Sequence, residues 1–206
     1  MIELKQITLV RGQKVLLEDA STRLENGYRV GLIGRNGAGK SSLFELLKGA
    51  LHEDAGEVVN TWRAMDVAYL EQALPQSDES AISYVKKGDR EWHEISQKLA
   101  QAEVEDDGHV ISECHARLAE IDGYQIDARA AKILIGLGFP HAQHDQLVAD
   151  FSGGWQMRLQ LARVLLSRAE LLMLDEPTNH LDIDAILWLE QWLSQIRTTV
   201  VVISHD

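Results

Sequence analysis

Residues 34–41 have the residue types and the spacing of a phosphate-binding loop. They read GRNGAGKS, which fits G-x-x-x-x-G-K-[ST], and they lie between an apolar segment, YRVGLI, and a segment with helical spacing. Glycines let such a loop turn successive N–H groups onto phosphate oxygens, and the N-terminus of the following helix adds positive potential. Lys40 is expected to reach the β- and γ-phosphates of a nucleotide, and the Ser41 hydroxyl to bind Mg²⁺. The predicted nucleotide-binding residues of the loop are Gly34, Arg35, Asn36, Gly37, Ala38, Gly39, Lys40, Ser41 and Ser42.

Two acidic residues, Asp175 and Glu176, follow the apolar segment LLML. Four apolar residues in a row are typical of a buried strand, and the ligands of an open α/β sheet bind at the carboxyl ends of its strands. Asp175 can hold Mg²⁺ through water, and Glu176 can orient an attacking water or accept its proton. By itself the pair is equally compatible with an ordinary acidic strand end. The phosphate-binding loop upstream favours the catalytic interpretation.

Three further places are candidates for contact with a γ-phosphate or its surroundings. Ser152, Gly153 and Gly154 open a helical segment, where a serine N-cap and two glycines leave N–H groups accessible to an anion. When this segment is considered alone, simple helix capping is the better explanation. Gln72 ends a strand in the first half of the chain, and His205 ends the last strand, where an imidazole could meet a γ-phosphate.

The elements that must position these residues alternate between strands and helices at both ends of the chain. Strand character is found at 2–10, 15–17, 28–33, 56–60, 67–70, 171–174 and 199–203. Helical spacing is found at 41–51, 154–167 and 183–196. The alternation predicts an α/β fold.

Between these parts, residues 76–150 are helical and polar, and we interpret them as a helical subdomain inserted in the α/β core. Two apolar stripes with helical spacing run through the segment, and an acidic turn at 105–108 separates them. The stripes predict an antiparallel helical hairpin at about 90–122. A helix pair packed inside the subdomain and a projecting arm are equally compatible with this pattern. The stripes consist of Trp92, Ile95, Leu99 and Ala102, and of Ile111, Cys114, Leu118 and Ile121.

The composition is typical of a protein from a reducing compartment. The chain has 206 residues, 45% of them hydrophobic, and a single cysteine, Cys114, so no disulfide can form within it. No apolar run approaches the roughly 18 residues that cross a bilayer, and the first residues do not resemble a secretory signal. We therefore predict a cytoplasmic protein without a transmembrane segment.

The charge balance limits the choice of partners. Asp and Glu outnumber Lys and Arg by 32 to 20, which gives a formal net charge of −12. Phosphate contacts are made mostly by Lys and Arg, so this balance argues against a general binder of polyanions. Lys86, Lys87 and Arg90 are too few for a nucleic-acid patch. A local nucleotide site is compatible with the charge, because backbone N–H groups and one lysine can hold phosphates on an acidic protein.

The motifs together resemble those of an ABC-type ATPase domain. GRNGAGKS, Gln72, FSGGWQ, LLMLDEP and the final Ser204-His205-Asp206 follow the order and spacing of that family over essentially the whole chain, 1–206. The resemblance implies a single α/β P-loop nucleotide-binding domain with an N-terminal antiparallel β portion and an inserted helical subdomain. It also implies ATP and Mg²⁺ as cofactors and ATP hydrolysis as the reaction.

The same resemblance implies a role for each matching residue. Gln72 corresponds to the glutamine that senses Mg²⁺ and the attacking water, and His205 to the switch histidine. Residues 152–154 correspond to the signature motif, which binds the γ-phosphate held by a second ABC domain, and Asp182 corresponds to the D-loop aspartate. The implied catalytic residues are Glu176, His205 and Gln72, and the implied Mg²⁺ ligands are Ser41, Gln72 and Asp175.

Within this family the chain resembles the ABC-F proteins. The resemblance rests on EPTNHLD at 176–182, on SGGWQMR at 152–158, and on the helical insertion that ends in AEIDGYQIDARAAKILIGLGF. ABC-F proteins carry two ABC domains on one chain, have no membrane domain, and act on ribosomes as translation factors. Their helical arm lies in the first domain. The resemblance therefore implies a second ABC domain and the ribosome as partners.

Two other functions share the same motifs. The chain could be the ATPase subunit of an ABC transporter, in which the ATP chemistry is the same and only the partner differs. It could also belong to an ATP-dependent binder of branched DNA. Trp155 and the loop Asn179-His180 favour ABC-F over the transporter, and the net charge of −12 disfavours DNA.

Three features depart from the pattern of the family. Arg11 stands where many ABC domains have an aromatic residue that stacks on adenine, and its guanidinium plane could stack instead. Phe151 and Trp155 replace the usual Leu and Gln of the transporter signature. The sequence ends at Asp206, before the linker and second ABC domain of the family, so we expect it to be part of a longer protein.

Overall fold

The computed structural model describes residues 1–35, 37–62, 66–70, 73–75 and 77–204. Three of the predicted site residues, Asn36, Gln72 and His205, lie outside the described residues. The chain divides into two compact units. The first unit consists of Met1–Glu71, Ala169–Asn179 and Ile196–Asp206, and the second of Gln72–Arg168 and His180–Gln195.

The described strands and helices confirm the predicted alternation. They are β1 (Ile2–Arg11), β2 (Lys14–Leu24), β3 (Arg29–Ile33), α1 (Lys40–Leu47), β4 (Ala55–Asn60), β5 (Val67–Tyr69), α2 (Ala81–Lys86), α3 (Arg90–Glu105), α4 (Gly108–Glu120), α5 (Ile126–Gly136), α6 (Gly153–Leu166), β6 (Leu171–Asp175), α7 (Ile183–Gln195) and β7 (Thr199–Ser204).

The first unit contains a three-stranded antiparallel sheet in the order β2-β1-β4. Ile2 and Leu4, and then Ile7 and Leu9, point their side chains into the core. The spacing changes from two to three between these pairs, where Gln6 takes a φ of 50° and the register with β2 shifts. A bulge of this kind keeps both pairs on the buried face. The sheet confirms the antiparallel β portion at the N-terminus.

The second sheet of the first unit has four parallel strands in the order β3-β7-β6-β5. Residues 171–174 of β6 are all buried, as expected for a strand covered on both faces. Ile33 pairs with Ser204, and Asp175 pairs with Ile203. The carboxyl ends of β3, β7 and β6 therefore meet at one edge of the sheet, and this edge carries the predicted phosphate loop and acidic pair.

One hydrophobic cluster joins α1 to strands of both sheets in the first unit. Phe44, Leu46 and Leu47 of α1 are buried in it. The remaining buried members are Ile2, Leu4, Ile7, Leu24, Trp62, Leu171, Met173, Val201 and Ile203. This packing fixes the start of α1, and therefore the end of the phosphate loop, relative to the parallel sheet.

The second unit is helical in its described residues, and α3 and α4 pack on one another across a short turn. Asp106 reverses the chain with a φ of 55°, and the Asp107 carboxylate accepts hydrogen bonds from the N–H groups of His109 and Val110. These contacts explain why an acidic sequence forms the turn: a short carboxylate side chain caps the start of α4. The apolar stripes of the two helices face the interior, with Cys114 among the buried residues.

Two elements differ in length from the prediction. The helix predicted to reach Leu51 ends at Leu47, because Gly49 takes a φ of 75° and its N–H donates to the carbonyl of Leu46. A glycine in the left-handed region is a common helix terminator. The strand predicted at 15–17 extends to Leu24, because β2 pairs with β1 along its length. The full length of β2 could not be predicted from its sequence, because most of its side chains are exposed and therefore polar.

Candidate nucleotide site and signature motif

The predicted phosphate loop connects β3 to α1 in the first unit. Gly37 and Gly39 have φ values of 74° and 101°, a region that other residues rarely enter, so these two positions require glycine. Gly39 is the N-cap of α1, and its carbonyl accepts from the N–H of Leu43. The loop thus delivers the chain to a helix N-terminus, where partial positive charge favours an anion.

Lys40, the first residue of α1, reaches back along the loop. Its Nζ donates to the carbonyl oxygen of Gly34 at 2.6 Å and to that of Arg35 at 3.4 Å. The ammonium group is therefore held beside the loop by two neutral acceptors. A phosphate oxygen is a stronger partner for it than either carbonyl, because charge-assisted hydrogen bonds are about twice as strong as neutral ones.

A second lysine at the loop was missed by the sequence analysis. Lys14 of β2 donates from its Nζ to the carbonyl oxygen of Gly37 at 2.7 Å. Lys14 also pairs across the hairpin with the exposed Arg11, and Leu16 packs against Gly39. The end of the β1-β2 hairpin therefore supports the loop and brings a positive charge to it. No motif marks Lys14, and only the pairing of β1 with β2 identifies its position.

The acidic pair ends β6 at the same sheet edge. Burial and the charge of Glu176 raise the pKa of Asp175, and Lys40 acts on that pKa in the opposite direction. Lys40 and Asp175 therefore interact electrostatically across the site. Glu176 has a φ of 48°, uncommon for a residue with a side chain, and its N–H donates to the carbonyl of Ile203 at 3.0 Å. Strained backbone of this kind is often found at functional sites.

The oxygen donors at this edge fit Mg²⁺. The ion prefers oxygen ligands and is usually bound through one or two carboxylates plus substrate phosphates, with several waters retained. Asp175 supplies a half-buried carboxylate beside the charge of Glu176, a pair whose mutual repulsion a divalent cation would relieve. Ser41 adds a hydroxyl in the first turn of α1. Within the described residues, no group of three or more His, Cys, Asp or Glu side chains could enclose a metal by itself.

The predicted signature motif starts α6 in the second unit, but Ser152 does not cap it as expected. Ser152 is exposed at the N-cap position, and its side chain makes no capping hydrogen bond there. Gln156 Nε2 holds the segment instead, by donating to the carbonyl oxygens of Val148 at 3.1 Å and Phe151 at 3.0 Å. The exposed side chain of Ser152 takes no part in these two hydrogen bonds.

The two departures in the signature have a packing role. Phe151 and Trp155 both lie edge-on to Phe139, with ring centroids 5.5 Å and 4.8 Å away, respectively. Edge-to-face contacts of this kind stabilise beyond their buried area. The aromatic pair therefore anchors the start of α6 to the segment that follows α5.

Arg158 joins the signature helix to the predicted D-loop aspartate. Its Nη1 donates to Asp182 Oδ2 at 2.8 Å, its Nε donates to the carbonyl of His180 at 2.7 Å, and its guanidinium lies 4.5 Å from the centre of the Trp155 ring. Asp182 Oδ1 accepts from the N–H of Ala185 at 3.0 Å. This backbone N–H and the Arg158 side chain lower the pKa of Asp182. Arg158 is the last residue of the signature segment 152–158, but its hydrogen bonds to distant carbonyls could not be predicted from residue spacing.

The structure thus groups the predicted residues by unit. The loop, Asp175 and Glu176 lie in the first unit, and Ser152, the two glycines after it and Asp182 lie in the second. A family model described as "ABC transporter" matches residues 17–179.

The chain belongs to the ABC transporter family of ATP-binding domains. The family is one of ATPases. Among curated proteins, this ABC domain is 50% identical to the probable ATP-binding protein YheS of Haemophilus influenzae, over 100% of the chain and 32% of that protein. It is 40% identical to ATP-binding cassette sub-family F member 3 of Pongo abelii, over 95% of the chain and 28% of that protein. The ABC domain therefore spans about a third of the length of such relatives.

Solved structures show the same fold at low sequence identity. An ATP-binding protein of a putative ABC transporter from Pyrococcus furiosus gives a TM-score of 0.70 at 19% identity, covering 100% of this ABC domain and 91% of that chain. The structure of cbiO1 from Clostridium perfringens gives 0.66 at 20% identity, covering 100% and 78%. Among the described residues of the ABC domain, no helix has the length and apolarity needed to span a membrane.

Proposed function

We propose that this ABC domain binds Mg²⁺-ATP at residues 34–42 and hydrolyses it together with a second ABC domain. The observation that carries the proposal is the position of Lys40 and Asp175 at the carboxyl edge of the parallel sheet: Lys40 begins α1 after the loop that follows β3, and Asp175 ends β6. A cation for the phosphates and an anion for the metal ion stand together there. Mg²⁺, when bound with ATP, neutralises charge on the phosphate oxygens.

The residues of the chain divide the work around the nucleotide. The loop N–H groups and Lys40 bind the phosphates, and Ser41 and Asp175 hold Mg²⁺, with Gln72 as the third ligand that the resemblance implies. Glu176 orients the attacking water or accepts its proton, assisted by His205. Arg11, exposed at the end of β1, takes the place of the aromatic residue that stacks on adenine in many ABC domains. The plane of its guanidinium group suits the same stacking.

Lys40→Ala tests the binding site. The variant loses a charge-assisted contact worth about 1.5–3 kcal/mol, so ATP affinity should fall roughly ten- to a hundredfold by calorimetry. Lys98→Ala is a matched control, because Lys98 is an exposed lysine of α3 whose nearest acid, Glu113, lies 3.6 Å away. Equal ATP affinity for wild type and Lys40→Ala would overturn the assignment of the loop.

The wider role we propose is that of the first ABC domain of an ABC-F protein in the cytoplasm. Closure of two ABC domains on ATP would be coupled there to regulation of the ribosome, with the α3–α4 hairpin as the candidate arm. The support is the likeness to sub-family F, together with EPTNHLD and SGGWQMR in the chain.

The partner can be identified by sedimentation of the full-length protein that carries the Glu176→Gln substitution, in the presence of ATP. Because this variant should bind ATP without hydrolysing it, it should trap the closed state of the two ABC domains. We expect the protein to sediment with ribosomes, and not with membrane vesicles or branched DNA, at physiological salt. Sedimentation with vesicles would instead support an ATPase subunit of a transporter. Retention of branched DNA would support an ATP-dependent DNA-binding protein. Neither outcome would change the ATP chemistry.

A further inference from the structure

We propose that Asn179 is a positioning residue that holds the Glu176 carboxylate for hydrolysis. Asn179 Nδ2 donates to Glu176 Oε2 at 2.8 Å. The proposal rests on the proposed function, because it gives Asn179 a role that acts through Glu176. In the sequence, Asn179 helps to distinguish ABC-F proteins from transporter subunits, and the motif assigns it no role in the reaction.

The main chain around Glu176 is already fixed by other contacts. Its φ of 48° is held by the bond from its N–H to the carbonyl of Ile203, and the N–H of Asn179 donates to the Glu176 carbonyl at 3.1 Å, which closes the turn 176–179. Pro177, inside this turn, restricts the backbone further. These contacts place the Cα and Cβ of Glu176 but leave its side-chain torsions to be set.

The amide of Asn179 sets those torsions. A glutamate carboxylate lies three torsions beyond its Cα, and fixing a long side chain costs conformational entropy. The hydrogen bond between Asn179 and Glu176 forms during folding, so this side-chain entropy is already lost before the reaction begins. Catalysis gains from groups that are held in place before reaction, since reorganisation during the reaction raises the barrier.

The bond is compatible with the task of Glu176. An ionised carboxylate has about four acceptor sites on its two oxygens, so accepting from one amide leaves capacity for a water. Asn179 is exposed, and a neutral amide donates without adding a charge beside the phosphates. An alanine at this position has no side-chain donor for the carboxylate.

The test is single-turnover hydrolysis of ATP with the protein in excess. Asn179→Ala should slow the reaction about ten- to a hundredfold, the range of a hydrogen bond to a charged group, while ATP affinity stays within about twofold. Asn179→Asp has nearly the same shape but cannot donate, so it should slow the reaction at least as much. Asn26→Ala, an exposed asparagine whose side chain accepts from the Met1 amino group, is the matched control and should hydrolyse ATP at the wild-type rate.

A double-mutant cycle separates positioning from a general structural effect. If Asn179 acts through Glu176, then Asn179→Ala should slow hydrolysis in the wild type but cause no further loss in Glu176→Gln. An unchanged rate in Asn179→Ala, the same fractional loss in both backgrounds, or a loss of ATP affinity equal to the loss of rate would each overturn the proposal. Wild-type hydrolysis by Glu176→Gln would instead contradict the role that the proposed function gives to Glu176, and would assign the base to another group.

Discussion

Lys40 and Glu176 lie at one edge of the sheet, and in the mechanism we propose they serve different steps of the reaction. Glu176→Gln keeps the shape of the side chain but removes the charge that orients or deprotonates water. We expect ATP affinity to be retained and single-turnover hydrolysis to slow by about 10²-fold or more. Calorimetry and a radiolabelled ATP assay check the two parts separately. An unchanged single-turnover rate would assign the base to another group, with His205 as the next candidate.

Single residues could be predicted from the sequence where the chemistry is local. Lys40 follows from its place in a loop of eight residues, and Asp175 from the end of an apolar run. Lys14 could not be predicted, because its partner Gly37 is 23 residues away and only strand pairing brings them together. Asn179 is near Glu176 in sequence, but the left-handed backbone of Glu176 that turns the two side chains together has no signal in the residue types.

At the scale of elements, Arg158 is the side chain that ties α6 to the start of α7. It is 10% exposed and donates to Asp182 and to two backbone carbonyls, those of His180 and Leu137. Arg158→Met should lower the free energy of unfolding by about 1–3 kcal/mol, because the buried Leu137 carbonyl loses this donor and the bonds to Asp182 and His180 are lost as well. Urea unfolding measures this change. Arg197→Met, at an exposed residue between α7 and β7, is the control and should stay within about 0.5 kcal/mol of wild type.

The stability difference between Arg158→Met and wild type should depend on pH. The pKa of Asp182 is lowered first by the N–H of Ala185 and then by Arg158. A lowered carboxyl pKa contributes stability above the unfolded-state value of about 4, and this contribution is lost as pH falls through the folded-state pKa. The difference should therefore be largest near neutral pH and should narrow below pH 4. A difference that widens on acidification would contradict the role of the Arg158–Asp182 pair.

Element types were predictable from periodicity, and element ends were not. The buried run of β6 and the stripes of α3 and α4 carry strong patterns, because burial selects apolar residues at fixed spacing. The early end of α1 depends on Gly49, and the length of β2 depends on pairing with β1 rather than on its own exposed sequence. Gln156, which holds the start of α6 in place of Ser152, was missed because its acceptors are backbone carbonyls that any sequence provides.

At the scale of the whole molecule, packing among the described residues does not explain why glycine stands at 153 and 154. An added Cβ at Gly153 or Gly154 would meet atoms no closer than 3.6 Å, which is ordinary contact, and neither has a positive φ. By contrast, a Cβ at Gly88 or Gly136 would approach within 1.9 Å of the carbonyl of Arg163 or the ring of Trp188, respectively. The fold therefore requires glycine at 88 and 136 but tolerates a side chain at 153 and 154. Bare N–H groups at 153 and 154 suit an anion brought by a second ABC domain.

The measurement that tests this account most directly is the ATPase rate of the 206-residue chain as a function of its concentration. If the signature of one ABC domain completes the site of another, then a single chain binds ATP but turns it over slowly, because donors around the γ-phosphate are missing. Specific activity should rise with protein concentration, more steeply at higher salt, which screens the repulsion between two chains of net charge −12. Supplying the second ABC domain should restore turnover at low concentration. A high rate that does not change with concentration, over the range where light scattering finds a monomer, would contradict the two-domain mechanism.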